Sequence, residues 1–565
     1  MKRLMIGLTS LSFFLVAGGA HATSYNITTN AMTIAADGAC SLVEAITASN
    51  TKAAKNECPA GTGTDYISLS GGTYSATGAL QINRNVTIQG FGTTIIAAKF
   101  NGVSATELFV VPGPNANLTI DNVTLRNDTT EANHYVSGIY VHSDATLTSN
   151  ELLRVTGFNW SGVYAVNAFV SLTHARIDHN SNSHPSDTGH GGGIYRFDNN
   201  GAGSHGFVLN HSSITYNTAL NDGGGIYFGG DGGSHFYYST FAKNTAKRGG
   251  GLFIDTQTGG YFEGWHMTVG RNNATVSGGG IYEDHGGSGL NISSSIVANN
   301  TVNNNLSAAT ANLLRQAQAG NSFDMIWGAG VTATTLGCGA VANWQCGHNT
   351  YGADAKLPLE PLAMGGIYRF MEVLMPLKGS PAIDYGTLIG NEASDQRGLP
   401  GDIDGDGNGS VAPDAGAVER NQIWQMEDTL EWFSSSNDLV NIDAGYPSQQ
   451  LGRFLSANAN NDYVTYAVPI SEPGVYEITL KHKQASNGGK FRVGTASSSG
   501  GAYDESGFAE QTSYAASTSY PAAVNLGSRT FNAAGTYWFR FRVTAAGAGG
   551  GRNLYQDYIK VRKTN

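Results

Sequence analysis

The sequence predicts an all-β protein: a right-handed parallel β-helix with an N-terminal capping helix, followed by an antiparallel β-sandwich of jelly-roll form. A repeat closed by Asn recurs in the centre of the chain, every 27 or 28 residues after a longer first interval, and alternating polar and apolar segments follow it. Glycine is abundant (76 of 565 residues) and charged residues are few (13%). We expect a signal peptide at 1–22, the β-helix with its cap and closing segment at 23–420, and the sandwich at 421–565.

The N-terminus has the pattern of a secretory signal. Residues 1–3 are positively charged at Lys2 and Arg3, residues 4–18 are apolar, and Ala20 and Ala22 form the small-x-small cleavage pattern. We therefore expect a protein that is secreted, periplasmic or held at the cell surface, with no transmembrane segment; the bacterial source is implied only by the resemblance given below. The net charge of −11 argues against nucleic acid as the main partner. A monomer is expected.

The four cysteines fall into two close pairs, Cys40 with Cys58 and Cys338 with Cys346. In an oxidising compartment each pair is expected to form a disulfide. The alternative is a zinc site, which would have to bring together four thiolates from distant segments.

A short helix is predicted near the N-terminus. Residues 37–46 place Ser41 as N-cap and Glu44 three residues later, the pattern of a capping box. A helix here would cover the first coil of a solenoid. The stretch resembles the CSLREA segment of exported bacterial β-helix proteins, with Val43 standing where that family has Arg.

Two interleaved series of repeats indicate solenoid coils. The first series comprises residues 174–180, 211–217, 238–244 and 266–272, continued more weakly at 293–299. The second comprises the Gly-Gly-Gly-Ile/Leu-aromatic units at 191–195, 223–227, 249–253 and 278–282. Each repeat suits one coil of two or three strands. The aliphatic positions are expected to stack inside, and the Asn residues to form a ladder of side-chain amides at a bend.

Two later segments resemble known modules. Residues 379–384, 395–398 and 414–419 resemble the choice-of-anchor Q segment that closes many such β-helices. Residues 421–565 resemble carbohydrate-binding modules of families 6 and 35, which open on a Glu-containing strand (here 426–428) and end on an Asp-Tyr-Ile-x-Val strand (here 557–561). The second resemblance implies that the sandwich binds carbohydrate.

The aligned coils predict one basic and aromatic surface. Its candidate catalytic residues are His179, His211, Tyr216, Lys243, His266 and Arg271. Its candidate substrate-binding residues are Arg176 and Tyr238. Such groups can neutralise a uronate carboxylate, remove the C5 proton and protonate the leaving oxygen. Lyases with pectate-lyase-like β-helices use similar sets, which implies a lyase acting by β-elimination on an extracellular acidic polysaccharide and tethered by the sandwich. Ordinary exposed strand residues are the alternative.

A competing set is acidic. Asp255 and Asp284 occupy equivalent positions of adjacent coils, which suits the carboxylate pair of a glycoside hydrolase. Asp222, Glu283 and Arg248 lie nearby in the repeat, and Arg248 is a candidate substrate-binding residue. Turn-forming Asp residues in a Gly-rich loop are the alternative.

An aromatic column forms a third feature. It comprises Tyr140, Tyr164, Tyr195, Tyr227, Phe253 and Tyr282. If the rings point outward they offer a stacking platform for sugars, with Tyr195, Tyr227 and Tyr282 as contacts. If they point inward they form a core stack. The outward orientation is slightly favoured, because the neighbouring positions are aliphatic.

A calcium loop is predicted at 402–410. Its ligands would be Asp402, Asp404, Asp406 and Asn408, with Asp414 one residue later than the usual final ligand. Resemblance to the binding modules implies a second calcium held by Glu427 and Asp557. Both ions would be structural.

The alternative to an enzyme is a non-catalytic adhesin or matrix protein.

Overall fold

The structure is a computed structural model. It describes residues 22–104, 106–131, 134–184, 189–201, 205–256, 260–284, 290–315, 320–332, 336, 344–359, 361–363, 371–387, 394–398, 412–420, 423–425, 432–435, 439–444, 451–470 and 472–564.

The first part of the chain consists of one helix and many short strands, typical of Gly-rich sequence with β-branched runs. In chain order these are β1 (Ser24–Ile27), α1 (Leu42–Thr51), β2 (Asp65–Leu69), β3 (Thr73–Ala76), β4 (Leu80–Gln81), β5 (Asn85–Ala98), β6 (Glu107–Val111), β7 (Asn117–Asn127), β8 (Ser137–His142), β9 (Thr146–Ser149), β10 (Leu153–Thr156), β11 (Val163–Val166), β12 (Phe169–Thr173), β13 (Ala175–Asp178), β14 (Ser181–Asn182), β15 (Ile194–Asp198), β16 (Phe207–Asn210), β17 (Ser213–Thr215), β18 (Thr218–Ala219), β19 (Ile226–Gly230), β20 (Gly233–Tyr237), β21 (Thr240–Ala242), β22 (Thr245–Arg248), β23 (Leu252–Thr256), β24 (Tyr261–Trp265), β25 (Thr268–Gly270), β26 (Asn273–Ser277), β27 (Ile281–Glu283), β28 (Leu290–Ser293), β29 (Ile296–Ala298), β30 (Thr301–Val302), β31 (Leu313–Arg315), β32 (Gly320–Phe323), β33 (Ile326–Trp327), β34 (Trp344–Gly347), β35 (Leu362–Ala363) and β36 (Glu372–Val373).

The second part contains longer strands. They are β37 (Ile423–Gln425), β38 (Trp432–Ser434), β39 (Leu439–Ala444), β40 (Leu451–Ser456), β41 (Tyr463–Ile470), β42 (Gly474–His482), β43 (Gly489–Ala496), β44 (Gln511–Thr512), β45 (Val524–Phe531), β46 (Gly535–Ala546) and β47 (Leu554–Lys563).

The first part is a solenoid of parallel strands. Its strands pair into parallel sheets of 20, 9 and 5 strands. A representative coil runs through β16, β17, β18 and β19, and each of these strands pairs with its equivalent one coil later. The predicted parallel solenoid is therefore confirmed as an all-β structure of parallel sheets, while its right-handed sense and the domain boundaries remain predictions.

The solenoid interior is a stack of apolar columns. Ile177, Ile214, Phe241 and Val269 lie in register on successive coils and are fully buried. Buried serines lie at the bend before these strands, at Ser212, Ser239 and Ser295, and a column of polar side chains lies at the bend after them.

That polar column is the predicted asparagine ladder, and it is confirmed. Each side-chain amide donates to the carbonyl oxygen of the next at 3.0–3.1 Å. Its members are Asn180, Asn217, Asn244, Asn272, Asn300 and Asn312. The fifth member is Asn300, so the weak repeat predicted at 293–299 is displaced by one residue from the true unit.

Left-handed backbone marks two corners in each of five successive described coils. The first corner has φ between 44° and 56° at His174, His211, Tyr238, His266 and Ser294. The second has φ between 56° and 62° at His179, Tyr216, Lys243, Arg271 and Asn299. Left-handed backbone is uncommon for such residues. Because the chain bends there, the strict alternation used to place these side chains on one flat surface does not hold.

A layer that we call the cover lies on the outer face of β17, β21 and β25; its described parts are residues 355–358, 371–387, 394–398 and 412–420. Thr215 Oγ1 donates to Glu372 Oε2 (2.6 Å), and Thr240 Oγ1 donates to Gln396 Oε1 (2.6 Å). The backbone N–H of Ala417 donates to Thr268 Oγ1 (2.9 Å). This covered face is closed to solvent, and Thr215, Thr240 and Thr268 are fully buried.

The cap at the N-terminus matches its prediction. Ser41 is the N-cap of α1, and its reciprocal capping box with Glu44 is formed. Cys40 and Cys58 are disulfide-bonded, with 5.0 Å between their Cα atoms. Cys346 is also disulfide-bonded, and its predicted partner Cys338 lies outside the described residues. The predicted signal peptide likewise lies almost wholly outside them.

The second part contains two antiparallel sheets around one core, as predicted for a sandwich. One sheet contains β37, β39, β40, β42, β45 and β47, and the other contains β38, β41, β43, β44 and β46. Apolar residues of the cover, such as Met371 and Val418, join this core cluster. Among the described helices, none is long and apolar enough to span a membrane.

Candidate functional site

A cluster of ionisable and aromatic side chains lies on the open face, the outer face of β16, β20 and β24, one strand before the covered face in each coil. Val208, His235 and Glu263 occupy one column of this face in register. Tyr237 and Trp265 form the next column. Alternation along each strand keeps these side chains outside, because Phe236 and Phe262 fill the interior.

His235 contacts three neighbouring side chains, those of Glu263, Tyr237 and Tyr261. Its Nδ1 lies 3.0 Å from Glu263 Oε2 and 3.1 Å from the Tyr237 hydroxyl, and its Nε2 lies 3.0 Å from the Tyr261 hydroxyl. In the tautomer that carries its proton on Nδ1, facing Glu263, the Nε2 atom accepts from the Tyr261 hydroxyl. We call Glu263, His235 and Tyr261 the relay, because His235 lies within 3.0 Å of both the carboxylate and the phenol.

The backbone makes room for the phenol of this relay. A Cβ on Gly233 would lie 2.4 Å from Cε1 and Cζ of Tyr261. Because position 233 is glycine, the ring of Tyr261, on β24, can lie across β20. There its hydroxyl reaches His235, which is on β20 like Gly233.

The relay is accessible to a ligand. The side chains of His235 and Glu263 are 30% and 36% exposed. Burial raises the pKa of Tyr237, and the nearby Glu263 and Tyr261 raise it further. Trp265 lies beside Tyr237 and adds a half-buried aromatic surface.

The residues predicted at the first corner are enclosed. His211, Tyr238 and His266 are 5%, 3% and 1% exposed, and their rings stack at 5.0 and 4.8 Å. His266 Nε2 also donates to the carbonyl of Thr387 in the cover. Burial lowers the pKa of His211 to about 4. The prediction that these residues line an exposed cleft is wrong, because the cover encloses this corner.

The residues predicted at the second corner have different surroundings. Arg271 donates to the carbonyl of Pro358 (2.9 Å) in the cover. Arg176, on β13 just before this corner, donates to Glu372 of the cover (2.6 Å). Lys243 is half-buried. The His179 side chain is 56% exposed and stacks on the Tyr216 ring at 4.9 Å.

The aromatic column lies outside the aliphatic core, as its favoured orientation required. Successive rings stack face to face, with centroids 4.4 to 5.3 Å apart from Tyr164 to Tyr282. Tyr227, Phe253 and Tyr282 are 7%, 2% and 5% exposed. The prediction of a stacking platform for sugars is wrong for these rings, because their faces are occupied by one another.

The competing carboxylates flank this column. The Tyr227 hydroxyl donates to Asp255 Oδ2 (3.2 Å). Arg248 makes a two-pronged ion pair with Asp222 at 2.7 Å and lies 3.7 Å from Asp284. Asp255 and Asp284 lie on adjacent coils, since the Asp284 N–H donates to the carbonyl of Ile254 (2.8 Å). Glu283 is buried beside Arg315, and burial raises its pKa to about 7.

The predicted calcium ligands fall largely outside the described residues, which exclude 402–410 and Glu427. Asp414 is buried, and its two carboxylate oxygens accept N–H groups of Asp384 (2.8 Å) and Arg420 (2.6 Å). Asp557 is 1% exposed on β47. Within the described part of the chain, no cluster of His, Cys, Asp or Glu could hold a metal. Calcium stays a prediction.

The relay residues were missed by the sequence reasoning, which followed repeating columns. Val208, His235 and Glu263 differ from coil to coil, so no repeat marks them. The available signal was polar and aromatic alternation just before the repeat units, in residues 235–237 and 261–265.

Comparison with known proteins gives no family. No family model matches the chain, and no curated protein matches it. Solved structures with local similarity include a xanthan lyase from Paenibacillus (19% identity, 28% of this chain and 14% of that chain, TM-score 0.22). They also include a family 35 carbohydrate-binding module from Clostridium thermocellum (16%, 25% and 95%, 0.17). A third is a CBM36-1 domain of a xylanase from the hindgut metagenome of Trinervitermes trinervoides (19%, 23% and 99%, 0.16). These matches cover about a quarter of the chain, and such TM-scores establish no fold or activity.

Proposed function

We propose that the protein is an exported lyase that cleaves an extracellular acidic polysaccharide by β-elimination at the relay of Glu263, His235 and Tyr261. The observation that supports this most directly is the pair of 3.0 Å contacts that place His235 between a carboxylate and a phenol. A phenol whose proton can pass to a neighbouring imidazole is suited to remove a carbon-bound proton.

In the proposed reaction, Tyr261 passes its proton to His235 Nε2 and removes the C5 proton of a uronate through its phenolate oxygen. The C5–H electron pair forms the C4–C5 double bond, and the C4–O4 bond breaks. The proton on Tyr261 then moves to the departing O4, and His235 returns its proton to Tyr261. The charge that develops on the uronate carboxylate is stabilised by the transient imidazolium, held by Glu263.

Asn291 is a second candidate donor to that carboxylate. It follows Glu263 in the same column, one coil later, and is half-buried. An amide here would bind the uronate without contributing a formal charge.

The experiment is incubation of the exported protein with polygalacturonate and with alginate, recording the ultraviolet absorbance of the unsaturated product. Tyr261→Phe is expected to lower kcat by about a hundredfold or more, as loss of an acid–base group does. Tyr66→Phe is a matched control, since Tyr66 is an exposed tyrosine of the same 20-stranded sheet. Equal activity of the two variants contradicts the proposal.

Hydrolysis at Asp255 and Asp284 is the second candidate, favoured by the 3.7 Å contact of Arg248 with Asp284. It predicts new reducing ends without ultraviolet absorbance, lost in Asp284→Asn and retained in Tyr261→Phe. Glycan binding with no product of either kind would instead favour the adhesin.

A further inference from the structure

The outer face of the five-stranded sandwich sheet carries a row of cations. Arg492 on β43 is directly opposite Arg542 on β46, which in turn is opposite Tyr463 on β41. Arg540 lies two residues before Arg542 on the same side of β46, and Lys490 lies two residues before Arg492. Like charges directly opposite each other destabilise a sheet. A ligand that brings negative charge would relieve that repulsion.

The carboxylates near this face only partly balance it. Glu505 pairs with Arg542 at 2.6 Å, and Glu510 lies 3.8 Å from Lys490. Asp462 borders the face, but its carboxylate accepts the backbone N–H groups of Asn458 and Ala459. Among the described residues, exposed Arg492 forms no ion pair. The face is therefore positive on a protein whose net charge is −11.

Aromatic rings hold one of the cations in place. The Arg540 guanidinium lies 3.9 Å from the ring centre of Tyr463 and 3.7 Å from that of Tyr503. Its Nε donates to Thr465 Oγ1 (3.2 Å). A guanidinium fixed between two rings loses little further entropy when it binds a planar anion.

A glycine allows this arrangement. A Cβ on Gly494 would lie 2.9 Å from Glu505 Cγ and 3.2 Å from Tyr503 Cβ. The loop that carries Tyr503 and Glu505 can therefore lie directly over β43, beside the arginines.

We infer that this face, comprising Tyr463, Lys490, Arg492, Tyr503, Arg540 and Arg542, binds an anionic polysaccharide through its carboxylate or sulfate groups. Arginine forks match such anions with two parallel hydrogen bonds, and the tyrosines supply apolar contact to the sugar rings. The inference rests on the proposed function in one respect, since it assigns the acidic substrate class of the lyase to the sandwich as well.

The test measures binding by the full chain in the Tyr261→Phe background, so that no substrate is consumed. The probes are polygalacturonate for carboxylates, dextran sulfate for sulfates, and dextran as a neutral chain. Arg492→Gln is expected to weaken binding of one anionic probe by about fivefold, the effect of losing one exposed charge contact. Arg562→Gln is the matched control, because Arg562 is a 55% exposed arginine on the other sandwich sheet.

Glu505→Gln tests the same face in the opposite direction and should strengthen anion binding. Added salt should weaken binding to the unaltered face. Equal binding of dextran and polygalacturonate, or equal loss in Arg492→Gln and Arg562→Gln, overturns the inference. A chain that keeps anion binding without eliminating any uronate contradicts the lyase alone. If the protein cleaves short oligosaccharides but Arg492→Gln does not change its anion binding, only the sandwich site is contradicted.

Discussion

The covered face and the open face belong to the same 20-stranded sheet, one strand apart in every coil, yet they carry different kinds of residue. On the covered face Ser213, Thr240 and Thr268 repeat small hydroxyl side chains, and the cover bonds to them. On the open face one column reads Val208, His235, Glu263 and Asn291. A repeated side chain contacts the equivalent side chain of the coil before and the coil after it. Repetition therefore marks positions that stabilise the stack of coils. The ionisable side chains of the relay lie in columns that do not repeat.

The largest expected effect tests whether repeated columns are structural. Asn244→Ala removes an amide that accepts from Asn217 and donates to Ile214 and Asn272. Buried partners left without a hydrogen bond should lower the free energy of unfolding by about 4 kcal/mol. Denaturant unfolding measures this, with exposed Asn199→Ala as control. If Asn244→Ala lowers the free energy of unfolding no more than Asn199→Ala does, the repeated column does not stabilise the solenoid.

The buried histidine corner should make the stack sensitive to acid. The pKa of His211 is lowered from 6.5 to about 4 by burial, so the unfolded chain binds a proton at a higher pH than the folded protein. Stability from this group is complete above pH 6.5 and falls as pH decreases toward 4, by about 3 kcal/mol. His211→Tyr, which copies Tyr238 of the next coil, should flatten that dependence in unfolding experiments at both pH values. An unchanged pH dependence would contradict the role of this corner.

Activity should also depend on Gly233, a residue with no reactive group that lies against the Tyr261 ring. Gly233→Ala places a Cβ against the Tyr261 ring and should displace the phenol from His235. A displacement of about 1 Å costs roughly a hundredfold in rate. The comparison is kcat against thermal stability, which should change little. Full activity in Gly233→Ala would show that the position of Tyr261 is irrelevant.

The smallest effect concerns the cover. Thr240→Val removes the 2.6 Å hydrogen bond to Gln396 and should cost about 1 kcal/mol. Amide exchange should quicken in residues 394–398 and remain unchanged in β24. If the whole solenoid is loosened equally, the two faces are not independent.

The repeats predicted the parallel solenoid and the asparagine ladder, because these depend on identical contacts between coils. The spacing of Ser41 and Glu44 predicted the capping box, because that motif is local. They did not predict the cover, which meets β17, β21 and β25 from more than 100 residues away in sequence. Without it, His211 and His266 look like surface residues. Left-handed backbone at the corners, as at Lys243, also interrupts the strand alternation from which the basic and aromatic surface was predicted.

The candidate site was hidden for a related reason. Tyr261 reaches His235 only because Gly233 lacks a side chain, and the other coils have no such contact among their described residues. The competing carboxylates were easier to find, since Asp255 and Asp284 occupy equivalent repeat positions.

The helix α1 has a consequence for assembly. Its buried residues Leu42, Ala45 and Ile46 lie on the first coils and close their apolar end. An uncovered end would expose apolar side chains and unpaired strand edges, which are sites at which another chain can pair. The ten residues of this helix therefore shield the first coils from edge-to-edge pairing with another chain.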